Sequence, residues 1–264
     1  MKKKKTVIFL IVFTLTALVL GILLAPKGGQ SEAVGDLMRD LVLHEEGKVS
    51  LFGLIDVNPA LIGAIVVNIF ILLVALVIRI FLVPKFTYVP GKAQILIESW
   101  VGYFYDLAKK NSPTQYRALG PYIFAAGTYI FIGTIAELFG LQIIGTKGTS
   151  LGIPAPLSDV NAALAMGFLS YGFILVGATR HAGLKGLGSV AKDFSLPISM
   201  SFRLFGALLG GLLVTELVYY SLYLSFVLPI VVALLFTILH ALVQAYVLTL
   251  LVSIFYGEGV EAGG

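Results

Sequence analysis

The stretch "SLPISMSFRLFGALLGGLLV", residues 195–214, contains a single ionisable residue, Arg203. It belongs to a longer apolar run over residues 194–220, and the arginine lies nine residues inside that run. A guanidinium at such a depth in a membrane helix costs several kcal/mol unless water or a partner relieves it. The stretch therefore predicts a membrane helix whose arginine has a function.

The composition of the whole chain supports a membrane protein. Its 264 residues are 58% hydrophobic and only 12% charged, with a mean hydropathy of +0.99. A soluble domain of this size needs more polar surface. The absence of cysteine excludes disulfides, a thiol nucleophile and a thiolate metal site. No P-loop or HExxH motif occurs, so the sequence predicts no cofactor, no metal and no nucleic-acid partner.

Further apolar runs are long enough to cross about 30 Å of hydrocarbon. They cover residues 7–25, 61–83, 122–141, 161–178 and 224–256. A weaker, amphipathic stretch over residues 93–110 predicts a helix at the membrane surface or packed obliquely on its neighbours. We expect an all-α integral membrane protein of five or six hydrophobic helices, with no second soluble domain.

The positive charges predict the orientation of these spans. With the N-terminus inside, the cytoplasmic segments are residues 2–5, 79–117 and 180–192, which hold 13 of the 18 Lys and Arg residues. Six spans then return the C-terminus to the cytoplasm. We expect a multi-pass protein of a bacterial plasma membrane.

The first apolar run has two interpretations. Residues 1–27 combine a basic start with an apolar stretch, which is typical of a retained helix and also of a signal peptide. In both cases residues 28–59 form an acidic outside segment, and residues 60–264 form the membrane domain.

Several polar residues in or near the spans are candidates for function. On a helix, Arg203 shares one face with Gly206, Ala207 and Gly210, where another helix can approach closely. The alternative is a structural arginine paired with a buried acid. The other candidates are Glu137, Glu216, His240 and Gln244 in the spans, and Asp159 and Asn161 at an outer helix end.

Each of these candidates also has a structural interpretation. Glu137 and Glu216 are either interfacial acids or parts of a water-filled entry path. His240 is either a satisfied structural side chain or a relay, and it shares a helix face with Gln244. If Arg203 and Gln244 are level in an antiparallel pair, His240 faces Ala207.

Four motifs together resemble subunit a of the F-type ATP synthases. They are "FTYVPGKAQILIESW" (86–100), "PLSDVNAALAMGF" (156–168), "SLPISMSFRLFG" (195–206) and "HALVQAYVLTLLVSIFY" (240–256). The resemblance runs from about residue 60 to the C-terminus. It implies a long, membrane-oblique hairpin of the last two helices, packed against a ring of c subunits, with peripheral stalk b subunits and membrane lipid as the other partners.

The resemblance also implies a mechanism. Two offset half-channels would carry H⁺ or Na⁺ to the carboxylates of the c-ring, with Arg203 between them and Gln244 on the facing helix. The chain would be a non-catalytic subunit with no small-molecule substrate other than the transported cation. It departs from the family pattern at Ala207, where an Asn is usual, and we expect His240 to fill that polar position. Glu137 stands where Asn is common and is a candidate for the outer acid.

The composition leaves a second class of protein open. A proton-coupled secondary transporter would use Arg203 to bind an anion, although such carriers often show inverted repeats and none is visible here. An intramembrane enzyme is a third class, but the spans hold no serine–histidine or metal-ligand constellation.

Overall fold

The computed structural model describes residue 16 and residues 49–51, 55–144, 150–220 and 228–262. Side chains are described for residues 16, 57–142, 152–211, 213–214 and 234–262. The first apolar run, residues 7–25, is therefore not described except for Thr16. The backbone of Glu216 is described, but its side chain is not.

Six helices build this part of the chain. They are α1 (Pro59–Val77), α2 (Lys92–Asn111), α3 (Tyr116–Ala136), α4 (Val160–Ala191), α5 (Ser195–Tyr220) and α6 (Leu228–Glu261). Short π and 3₁₀ turns extend α1 over Ile78–Leu82 and Val83–Lys85, and further 3₁₀ turns cover Glu137–Phe139 and Pro156–Ser158. The all-α prediction is confirmed, and the predicted amphipathic stretch 93–110 is helix α2.

Two short hairpins accompany the helices. Strands β1 (Val49–Leu51) and β2 (Ile55–Val57) pair antiparallel before α1. Strands β3 (Gln142–Ile144) and β4 (Ser150–Gly152) pair antiparallel between α3 and α4. Both hairpins lie in the segments that the charge pattern assigns to the outside, and the sequence analysis did not predict them.

Four helical segments in the described part are long and apolar enough to cross a membrane: Pro59–Lys85, Tyr116–Phe139, Val160–Ala191 and Leu234–Glu261. The last two helices are longer than a straight crossing needs. At 1.5 Å per residue, the 26 residues of α5 and the 34 residues of α6 extend about 39 Å and about 51 Å, against about 30 Å of hydrocarbon. Such lengths are accommodated by tilt, as expected for an oblique hairpin.

Helix α6 is the centre of the bundle, since it packs against α2, α3, α4 and α5. Glycines permit the closest contacts. At Gly177 of α4 a methyl group would overlap the ring of Tyr256, which is 2% exposed. Gly183 adopts a left-handed φ of 59° inside α4 and marks a kink. The kink lies in the segment 180–192 predicted to be cytoplasmic, where the chain turns back towards α5.

The amphipathic helix α2 packs against α3. The Trp100 indole donates a hydrogen bond to the Thr128 hydroxyl at 3.1 Å, and its ring lies 5.1 Å from that of Phe131. Phe104, which is 1% exposed, fills the space beside Gly127. Of the two placements that the sequence left open, the structure therefore favours packing against neighbouring helices.

Two side-chain caps connect the starts of α1 and α4. The Asn58 carboxamide oxygen accepts from the Ala60 amide at 2.9 Å, and the Asp159 carboxylate accepts from the Ala162 amide at 3.0 Å. The Asn58 side-chain N–H also donates to Asp159 at 2.6 Å. Because each cap satisfies orphan amides, the pair fixes two helix N-termini at the same side of the bundle.

Candidate functional site

Helix α5 has a buried side and an exposed side, and Arg203 lies on the exposed one. The inward face is a stripe at four-residue spacing whose members are at most 7% exposed: Leu196, Met200, Leu204 and Leu208. Arg203 and Gly206 are exposed, as is the neighbouring Phe202 at 61%. Apolar residues occur on both sides, so packing against the other helices decides which side is buried.

The outward face has no side-chain cover in the described part of the chain. A methyl group built at Gly206 or at Gly210 meets no atom within 4 Å. Ala207 is half-buried at the margin of this face. We call Arg203, Gly206 and Gly210 the outward α5 face.

Arg203 makes no hydrogen bond or ion pair with any residue that the structure describes. The interpretation of Arg203 as one half of a buried ion pair is therefore not supported within these residues. A cation in hydrocarbon requires water or a counter-charge. The exposure of Arg203 places it where a group from outside the chain can reach it.

His240 lies one helical turn farther from the arginine than expected. A methyl group at Gly211 would lie 3.6 Å from the His240 Nδ1, and the imidazole ring lies 5.6 Å from the ring of Phe236. We expected His240 to face Ala207. Helices α5 and α6 run in opposite directions, so one turn after His240 on α6 corresponds to one turn before Gly211 on α5. The contact at Gly211 therefore brings Gln244 level with Ala207, and Arg203 lies one turn beyond that level.

Gln244 is a buried polar residue with an unused acceptor. It is 5% exposed, and its Oε1 atom has no hydrogen-bond partner among the described residues. A buried amide oxygen without a donor costs about 1–3 kcal/mol. The carboxamide therefore has a free acceptor next to the arginine-bearing helix.

Glu137 lies at the C-terminal end of α3 in the 3₁₀ turn Glu137–Phe139, which contacts α6. Its side chain is half-buried and lines a cavity of about 470 Å³ between α1, α3 and residues 153–156. It is the one charged residue among those that line this cavity. Glu137 thus lines this cavity, and its turn contacts the helix that carries His240 and Gln244.

Asp159 and Asn161 do not join this group. Asp159 is engaged as the cap of α4 and as the acceptor for Asn58. Asn161 is exposed on the first turn of α4. The sequence analysis missed Asn58 as a partner, although "Asn-Pro" before an apolar run is a signal for a helix cap.

The described residues offer no set of ligands for a metal. No group of three or more His, Asp or Glu side chains lies close enough together among them to hold an ion.

The fold and the site together define a multi-pass helical membrane protein with an arginine on the outward face of a helix. The family model described as ATP synthase A chain matches residues 62–257. The chain belongs to this family, which confirms the resemblance. Membership supports a membrane subunit of the synthase rather than a catalytic one, and it favours this assignment over a secondary transporter.

Curated relatives agree with this assignment. "ATP synthase subunit a" of Haemophilus ducreyi is 27% identical over 147 residues, covering 46% of this chain and 55% of the relative. The proteins of the same name from Actinobacillus pleuropneumoniae serotypes 3 and 7 are each 25% identical over 145 residues, covering 45% of this chain and 54% of the relative. The chain spans about half the length of the curated relatives it matches.

Proposed function

We propose that this chain is the ion-translocating subunit a of a rotary F-type ATP synthase in a bacterial plasma membrane, with its C-terminus in the cytoplasm. It would deliver H⁺ or Na⁺ to the carboxylates of a c-ring that moves past the outward α5 face. The observation that carries the proposal is the exposure of Arg203 on this face without a partner in the described chain.

The arginine acts on each ring carboxyl group by its charge. A guanidinium stays protonated at all physiological pH values, and it favours the ionised form of a nearby carboxyl group. At 4 Å and an effective dielectric constant of about 20, the attraction is about 4 kcal/mol, which equals about three pKa units. A carboxyl group that reaches Arg203 therefore releases its ion.

The same charge keeps the two half-channels apart. A cation that attempts to pass from one half-channel directly to the other must cross the field of Arg203, which repels it. Transport then requires the ring to turn, and this couples ion flow to rotation. The absence of side chains on Gly206 and Gly210 supports the mechanism, because small residues allow a second helix to approach closely.

Glu137 is the candidate acid of the outer half-channel. It lines the outer cavity, and its turn contacts α6, where His240 lies half-buried between this end and Gln244. Glu216 remains a second candidate for the same role. Asp159 is better suited to its capping role, because both of its carboxylate oxygens are already engaged.

The proposed partners are a c-ring, peripheral stalk b subunits and membrane lipid. The c-ring would cover the outward α5 face, and the exposed apolar residues of α1, such as Leu72 at 68%, would meet lipid or further membrane helices. Peripheral stalk b subunits would hold the chain against the torque of the ring.

The test is ATP-driven ion pumping by membranes that contain the assembled complex. Arg203→Ala is expected to abolish pumping while the chain still assembles. Arg79→Ala is the matched control, because Arg79 is also exposed but lies on the extension of α1. Normal coupled pumping by Arg203→Ala membranes, or an equal loss in both variants, would contradict the proposal.

A further inference from the structure

A large apolar groove lies between α2, α3 and α6. Its volume is about 1130 Å³, whereas pockets that hold small ligands usually measure about 300–1,000 Å³. The exposed residues that line it include Ile95 and Leu96 of α2 and Leu242 and Tyr246 of α6, with Leu96 at 72% exposure. None of the candidate residues for ion transport lines this groove. The groove is therefore a separate feature with room for an apolar occupant.

Helix α2 presents a different side to the groove from the side that packs on α3. Trp100 and Phe104 contact aromatic residues of α3. Lys92, Leu96 and Tyr103 line the groove and lie within about 40° of one another at 100° per residue. The groove side of α2 thus begins with a cation and continues with apolar surface.

Lys92 is the one charged residue among those that line the groove. It is exposed, and it makes no hydrogen bond or ion pair with any residue that the structure describes. The first acid of α2, Glu98, lies about 120° away around the helix and accepts a hydrogen bond from Gln94 at 2.8 Å. Gly91 provides no side-chain cap, and the first turn of α2 has no acid, so the helix start adds to the attraction for an anion. The charge at this end of the groove is complementary to a negative group.

The expected position of Lys92 in the membrane selects the kind of anion. The positive charges of the chain predict that residues 79–117 are cytoplasmic. Anionic lipids give the cytoplasmic leaflet its negative surface potential, and basic pockets between helices on this side bind their headgroups. A soluble anion would leave the apolar lining unused, and an uncharged lipid would leave Lys92 without a partner. An anionic phospholipid matches both parts of the groove.

We propose that the groove between α2, α3 and α6 binds one anionic phospholipid of the cytoplasmic leaflet, with its phosphate at Lys92 and an acyl chain along Leu96 and Tyr246. The lipid would fill the space between the amphipathic helix α2 and the central helix α6. This site does not depend on the proposed ion path, since it uses none of the residues of that path.

Tryptophan fluorescence tests this site, because Trp100 lines the groove and is the single tryptophan of the chain. The assembled complex is reconstituted in phosphatidylcholine vesicles that contain an increasing fraction of lipid with brominated acyl chains, which quench a tryptophan on contact. The brominated lipid is either phosphatidylglycerol or phosphatidylcholine. The signal of Trp100 is the difference between this complex and the same complex with Trp100→Phe. Half of this signal is expected to be quenched at an about five-fold lower fraction of phosphatidylglycerol than of phosphatidylcholine.

Lys92→Gln tests the role assigned to the lysine. It removes the charge at the end of the groove, so both brominated lipids are expected to quench Trp100 at equal fractions. Lys85→Gln is the matched control, because Lys85 is also exposed and in the segment predicted to be cytoplasmic but does not line the groove. The control is expected to keep the preference for phosphatidylglycerol. Each charge variant is measured with and without Trp100→Phe.

Three results would overturn the proposal. Equal quenching by the two lipids in the unmodified complex would show that the groove is open to lipid without a site for an anionic one. Absence of quenching by either lipid would show that another subunit covers the groove. A preference that survives Lys92→Gln, or that Lys85→Gln removes to the same extent, would exclude Lys92 as the group that binds the phosphate.

Discussion

Glycines on α4 and on α5 show how one residue type serves two surfaces. Gly177 of α4 faces inward, where the ring of Tyr256 occupies the space that a side chain would need. Gly206 and Gly210 of α5 face outward, and no atom lies within 4 Å of a methyl group built at either position. The inward glycine is explained by packing within the chain. The outward glycines lie beside Arg203, and under the proposed function they leave room for the approach of the c-ring.

The largest expected difference between the two surfaces is in stability. Gly177→Val forces Tyr256 or the helices apart, so we expect destabilisation of about 1–3 kcal/mol and a lower thermal unfolding temperature of the detergent-solubilised chain. Gly210→Val should leave that temperature nearly unchanged and should instead reduce ATP-driven pumping by the assembled complex. The comparison fails if both substitutions destabilise the chain equally.

A second prediction contrasts Asp159, which has partners within the chain, with Arg203, which has none among the described residues. Asp159→Ala removes the cap of α4 and the acceptor for Asn58, so we expect a loss of about 1 kcal/mol in stability. Asp159→Asn keeps a capping oxygen and should restore most of the stability and retain pumping. A loss of pumping in Asp159→Asn membranes with unchanged stability would show instead that Asp159 belongs to the ion path.

The smallest expected effect concerns the buried acceptor of Gln244. If Gln244 is level with Ala207, Ala207→Asn supplies a donor for the Gln244 Oε1 atom and should stabilise the chain by about 0.5–1.5 kcal/mol. Ala207→Leu is the control, because it adds bulk without a donor. Thermal unfolding of both variants measures the difference, and equal shifts would reject this register.

The spans could be predicted from the sequence, because apolar runs of sufficient length indicate membrane helices. The exposed side of α5 could not be read from hydrophobic periodicity, because large apolar residues such as Phe202, at 61% exposure, lie on that side as well. The sequence placed Asp159 at a helix end, but its role as the cap of α4 was not predicted.

The contacts between distant elements could not be predicted in this way. Asn58 meets Asp159 across 101 positions of sequence, and no local pattern predicts such a pair. The register of α5 against α6 also depends on how the whole bundle packs, so the position of His240 beside Gly211 could not be predicted from a local pattern.

The central claim is that the outward α5 face is covered by the c-ring, and cysteine cross-linking tests it most directly. Gly206→Cys is combined with a cysteine beside the ring carboxylate of the c subunit, and Leu204→Cys, at 1% exposure on the inward face, is the control. The account predicts an a–c cross-link from position 206 and none from position 204. No cross-link from position 206, or equal cross-linking from both positions, would contradict it.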